Sequence, residues 1–63
     1  MSDFKSRLDL ERTELEEKVN KLNSFLDSEK AMDISKDQRG LLKIQAQAMG
    51  TYLSILKLRL ELL

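Results

Sequence analysis

The second half of the chain, from Ser35 to Leu63, predicts one long helix that is apolar around more than half of its circumference. No proline interrupts it, and Ser35 with Gln38 three residues later matches the capping box that starts many helices. Apolar residues recur every seven positions along three neighbouring lines. The lines are Leu42, Met49, Leu56 and Leu63; Leu41, Ala48, Ile55 and Leu62; and Ala46, Leu53 and Leu60. A surface helix needs an apolar stripe of only about 100°, so this helix predicts contacts on more than one side.

The segment from Leu56 to Leu62 also alternates apolar and charged residues, which is typical of a half-buried strand. Its residues are Leu, Lys, Arg and Glu, which are strong helix formers and are not enriched in strands. A lone strand would also have no strand to pair with. The pattern and the length therefore favour a helix.

The first half of the chain predicts a second helix with a single narrow apolar seam. Ser2 or Asp3 is placed to cap it. Phe25 is expected to close one end of the core, or alternatively to anchor a partner as an exposed aromatic. The seam residues are spaced by threes and fours, with Arg12 filling one gap: Leu8, Leu15, Val19, Leu22 and Leu26.

These patterns predict an all-α fold, an antiparallel helical hairpin that forms one domain over residues 1–63. The helices are expected at about 3–27 and 35–63, with a connection at 28–34. The connection has turn-forming residues, and its length is normal between antiparallel helices. Met32 and Ile34 are expected to fold back onto the core.

Oligomerisation is the means of stabilisation that the composition leaves open. A chain of 63 residues buries only about 60% of its unfolded surface, and such small domains are marginal alone. The absence of Cys and His removes disulfides and the usual transition-metal ligands. No metal or other cofactor is therefore predicted.

The width of the apolar face predicts a homo-oligomer, a dimer of hairpins forming a four-helix bundle, with a tetramer also possible. In a lone hairpin we expect Leu53 and Leu60 to stay exposed, together with either the Met49–Leu56 line or the Ile55–Leu62 line. Each such side chain forgoes about 1.5–3 kcal/mol of burial. The predicted interface residues are Leu42, Met49, Leu53, Ile55, Leu56, Leu60 and Leu63.

A polar line also runs along the second helix at intervals of seven residues, through Gln38, Gln45, Tyr52 and Arg59. It could consist of core-edge residues that fix the register of a bundle. It could instead recognise a partner, because Tyr and Arg are enriched in binding hot spots. The candidate partner-binding residues are Gln45, Tyr52 and Arg59.

The charge and residue types argue against several functional classes. Eleven basic and eleven acidic residues give no net charge, whereas binding through nucleic-acid phosphates favours a basic excess. No catalytic constellation is visible without His or Cys, so a non-enzyme is predicted. No apolar run has the length of a membrane span, and no signal peptide is visible, which favours a cytoplasmic protein.

The order of these features resembles that of short tailed-phage proteins, crAss-phage-related ones among them. The resemblance is in Phe25-Leu26, Gln38, Leu41-Leu42, Gln45, Met49, Tyr52 and Arg59. It implies a phage accessory protein in the host cytoplasm, and small phage proteins of this size include inhibitors of bacterial antiviral defence. The prediction is thus a non-catalytic inhibitor that binds a host protein. A virion assembly factor and an RNA-binding hairpin dimer are the alternatives.

Overall fold

Two long helices lie side by side in the computed structural model, which describes residues 3–63. Helix α1 spans Asp3–Leu26 and helix α2 spans Lys36–Glu61. They pack against each other as a hairpin about 47 Å long, with no strand among the described residues. The predicted all-α hairpin is confirmed, and Ser2, one of the two proposed caps of α1, lies outside the described residues.

Helix α2 starts at the predicted cap. The Gln38 backbone N–H donates a hydrogen bond of 3.1 Å to the Ser35 hydroxyl, and Ser35 itself has an extended backbone. This bond satisfies one of the donors that a helix start leaves unpaired. Asp37 in the first turn and Arg59 in the last turn both have the sign of charge that the helix dipole favours at their end.

The core is a single row of aliphatic side chains between the two helices. Helix α1 contributes Leu8, Leu15 and Val19 from its narrow seam, as predicted. Helix α2 contributes Leu53 and Leu56, and Leu56 is fully buried at 0% exposure. Met49 and Leu60 pack against this row and are partly buried, as are Leu42 on α2 and Leu22 and Leu26 on α1.

The connection contains a 3-10 helix, Glu29–Asp33, that the sequence did not indicate. It buries Ala31 to 3% exposure and leaves Met32 at 72%, so the prediction that Met32 folds onto the core is wrong. Consecutive residues of a tight turn point in different directions: here Ala31 points inward, Met32 points outward, and Ile34 is partly buried. The Nη1 atom of Arg39 donates hydrogen bonds to the carbonyl oxygens of Ala31 and Ile34, each at 3.3 Å. These two bonds tie the connection to the first turns of α2.

Candidate functional site

Helix α2 has two apolar faces, and α1 covers only one of them. The inner face holds Leu53 and Leu56 against α1. On the opposite side, large apolar side chains are about half exposed or more: Leu41 61%, Ile44 63%, Ile55 48%, Leu58 55% and Leu62 87%. They belong to a run that we call the outer seam: Leu41, Ile44, Ala48, Thr51, Ile55, Leu58 and Leu62.

The outer seam has the spacing of a coiled-coil contact. Its residues follow one another at intervals of three and four along the whole of α2. At about 100° per residue this spacing keeps them within one stripe of the helix surface. Helix α2 therefore carries a second stripe with the spacing of a helix contact, and this stripe lacks a contact within the hairpin.

The predicted oligomer-interface residues divide between the two faces of α2. Leu53 and Leu56 are buried inside the hairpin, so the expectation that Leu53 stays exposed in a lone hairpin is wrong. The narrow seam of α1 lies between the line of Leu56 and the line of Leu53, which buries both. Leu42, Met49 and Leu60 are half-buried in the same place, whereas Ile55 and Leu63 are exposed.

Sequence reasoning did not assign Leu41, Ile44 and Leu58 to an interface, although the structure leaves all three exposed. The signal for them was present as the three–four spacing from Leu41 to Leu62. That signal alone could not show which of the two seams α1 would cover.

The three candidate partner-binding residues lie together along one edge of α2, between its inner and outer faces. Gln45, Tyr52 and Arg59 are all exposed, with Tyr52 at 45%. The Gln45 side-chain amide approaches the sulfur of Met49 at 3.8 Å. We call these three residues the polar stripe; its phenol, amide and guanidinium groups all reach solvent.

Among the described residues, the ion pair that joins the two helices uses Lys57, which lies on the other edge of α2. Lys57 Nζ lies 3.0 Å from Glu16 Oε2, and Arg12 joins Glu16 at 3.4 Å and Asp9 at 2.9 Å. Exposed pairs of this kind contribute about 0.2–1 kcal/mol each, so they add little to the stability of the hairpin. None of the ion pairs among residues 3–63 involves Arg59, which leaves its guanidinium available to a partner.

Shallow depressions mark the surface of residues 3–63. One, near the connection, is lined by polar and apolar residues of both helices: Asn23, Leu26, Asp27, Lys43, Ala46 and Gln47. Another is a groove of about 570 Å³ on the outer face of α2, lined by Lys36, Asp37, Gly40, Leu41 and Ile44. A methyl group added at Gly40 would meet nothing within 4 Å, so this groove is open to a side chain from outside.

The part of the chain that the structure describes has neither a candidate metal site nor a membrane-spanning helix. Over residues 3–63, acidic side chains form no group of three or more that could hold a metal ion. In the same range neither helix is both long enough and apolar enough to cross a bilayer.

Comparison with known proteins gave one match. The model of a protein family described as Sequestin matches residues 2–62, which include both helices and the connection. Neither a curated protein nor a solved structure matched the chain.

Proposed function

This chain belongs to the Sequestin family, and we propose that it acts without catalysis, by binding a partner and holding it away from its normal target. The family description points to a binding or sequestering role. Sequestration needs a surface that can recognise a partner, and it needs no reacting group. The polar stripe of α2, which lies beside the outer seam, provides such a surface.

The observation that carries this proposal is that the outer seam and the polar stripe of α2 are exposed in the hairpin. Contiguous exposed apolar patches on small proteins mark interaction sites. The outer seam is bordered by Tyr52 and Arg59, residue types that contribute strongly to binding when they are desolvated by a partner.

The more specific proposal is that the partner is a host protein and that the process inhibited is a bacterial antiviral defence. The resemblance to short tailed-phage proteins supports it, as does the small size of the chain. Inhibition by sequestration is stoichiometric. Protection of the phage against the host defence should therefore rise with the amount of the chain, and it should saturate when the concentration of the chain exceeds that of the target.

The test is to purify a tagged chain from phage-infected bacteria and to identify the host protein that co-purifies with it. A double variant of the polar stripe tests whether this binding is specific. Tyr52→Ala with Arg59→Ala should lose the captured host protein while helicity and melting temperature stay nearly unchanged, because both side chains are exposed. Gln47→Ala with Ser54→Ala is the matched control, since these residues are exposed on the other edge of α2 at the same spacing. It should retain binding.

Other outcomes would contradict the proposal in distinguishable ways. A large loss of stability in the Tyr52/Arg59 variant would assign both residues to the fold instead of recognition. Recovery of the chain in purified virions, without a host protein, would favour an assembly role. Saturable, salt-sensitive binding to structured RNA would favour an RNA-binding dimer. Inhibition of the host's antiviral defence without any captured protein would point to a sequestered small ligand.

A further inference from the structure

We propose that the outer seam of α2 is covered by the outer seam of a second copy of this chain, with the two α2 helices antiparallel and a two-fold axis between Ala48 and Thr51. The occupant is a second copy because the outer face is self-complementary in size, shape and charge. The hairpin dimer that results has α2 helices in its centre and α1 helices outside.

The sizes of the seam residues match under this symmetry. With the axis midway between Ala48 and Thr51, Leu41 lies level with the partner's Leu58 and Ile44 lies level with the partner's Ile55. The two small residues, Ala48 and Thr51, meet around the axis, where the helices approach most closely. Small residues at the centre and large ones on both sides give interdigitated layers, as in an antiparallel coiled coil.

The ends of the seam match in shape. Among residues 3–63, Leu62 is the most exposed large apolar side chain at 87%, and it projects at the C-terminal end of α2. The groove around Gly40 lies at the N-terminal end of the same face, beside Asp37. The two-fold axis brings Leu62 of each copy to the level of Asp37, so each copy supplies one protruding side chain and one groove, as an isologous interface requires.

The charges select the antiparallel orientation. In a parallel pair Asp37 would face the partner's Asp37 directly, because equivalent seam positions lie opposite each other. In the antiparallel pair Arg59 lies on the same edge as the partner's Asp37, about one helical turn or less away along the axis, and this contact occurs twice. Opposed helix dipoles add to the preference.

The pairing has a consequence for recognition, which rests on the function proposed above. In an antiparallel pair the edges that carry the polar stripes come together. Gln45 of one copy then lies near the level of the partner's Tyr52. The two stripes form one composite surface twice as wide as either, and a single hairpin presents only half of it.

Cysteine cross-linking tests the pairing without any target protein. The native chain has no cysteine, so introduced thiols are the only ones present. Leu41→Cys with Leu58→Cys should form a covalent dimer in a thiol redox buffer, whereas each single variant should not exceed background. The two positions of one chain are about 25 Å apart along α2, so they cannot bridge internally. Ser6→Cys with Asn20→Cys, exposed on α1, measures the background.

Each other result would overturn the pairing. Covalent dimers of the single variants would show a parallel arrangement. Absence of cross-linking in the double variant, with a dimeric mass in solution, would show that copies associate through another face. If the double variant cross-links no faster than the Ser6/Asn20 control, its disulfides form by random collision between chains and not by pairing of the outer seams. Because no partner protein enters this experiment, its failure is distinct from failure of the host-protein proposal.

Discussion

Replacing Leu56 by Ala should destabilise the hairpin by roughly 2–5 kcal/mol, because Leu56 is fully buried and Leu→Ala substitutions in cores lose both the transfer free energy and the packing around the cavity. Whole domains are stable by only about 5–15 kcal/mol, and a chain of this size lies at the low end. We therefore expect a large fall in the urea midpoint, and loss of much of the helical circular dichroism at physiological temperature.

Leu10→Ala is the matched control for Leu56→Ala. Leu10 is 58% exposed on α1, so the same chemical change at that position should alter the free energy of unfolding by about 0.5 kcal/mol or less. Both variants should be measured at one protein concentration, because the proposed dimerisation would make stability depend on concentration. Equal destabilisation by the two substitutions would contradict the position of the core.

Ile44→Glu with Ile55→Glu should convert the proposed dimer to a monomer. Both side chains are exposed in the hairpin and face each other across the proposed two-fold axis. A dimer loses the burial of four isoleucines, each worth about 1.5–3 kcal/mol, and gains like charges at close range. A loss of about 6 kcal/mol or more raises the dissociation constant by at least about four orders of magnitude. Sedimentation velocity at micromolar concentration should show the smaller species.

Ser6→Glu with Asn20→Glu adds the same two charges on the exposed face of α1 and should leave the dimer intact. The Ile44/Ile55 variant should also melt at a lower temperature, because the lone hairpin loses the stabilisation that association supplies. Dimers that persist in this variant would exclude the outer seam as the interface. Substitution of Leu53 and Leu60 by Glu would not separate these cases, since Leu53 is part of the hairpin core itself.

Much of the fold could be predicted from local chemistry. The spacing of Leu8, Leu15 and Val19 indicated the face of α1 that is buried, and Ser35 with Gln38 indicated where α2 begins. These features depend only on residues within a few turns of each other. They therefore leave a clear signal in the sequence.

The face of α2 that meets α1 could not be predicted in the same way. Both seams of α2 have three–four spacing and large aliphatic residues, so periodicity does not rank them. The choice depends on how the connection sets the rotation of α2 about its axis. Ala31 is buried and Arg39 bonds the connection carbonyls to the start of α2, and neither contact has a distinctive sequence pattern.

The candidate site was predicted in part. The exposed line of Gln45, Tyr52 and Arg59 follows from heptad spacing and polarity alone. The exposed seam beside it required the structure, because its residues differ from the core residues of α2 only in the side of the helix on which they lie. The identity of a partner depends on a second molecule, which the spacing of residues in one chain does not encode.

The mass of the native chain in solution is the most direct test of the central claim, that α2 is covered on both faces. Size exclusion coupled to light scattering at micromolar concentration should give twice the 7.3 kDa of one chain, and circular dichroism on the same fraction should show a highly helical protein. A well-folded helical monomer of 7.3 kDa under those conditions would contradict the account, because the outer seam would then remain exposed in a stable protein.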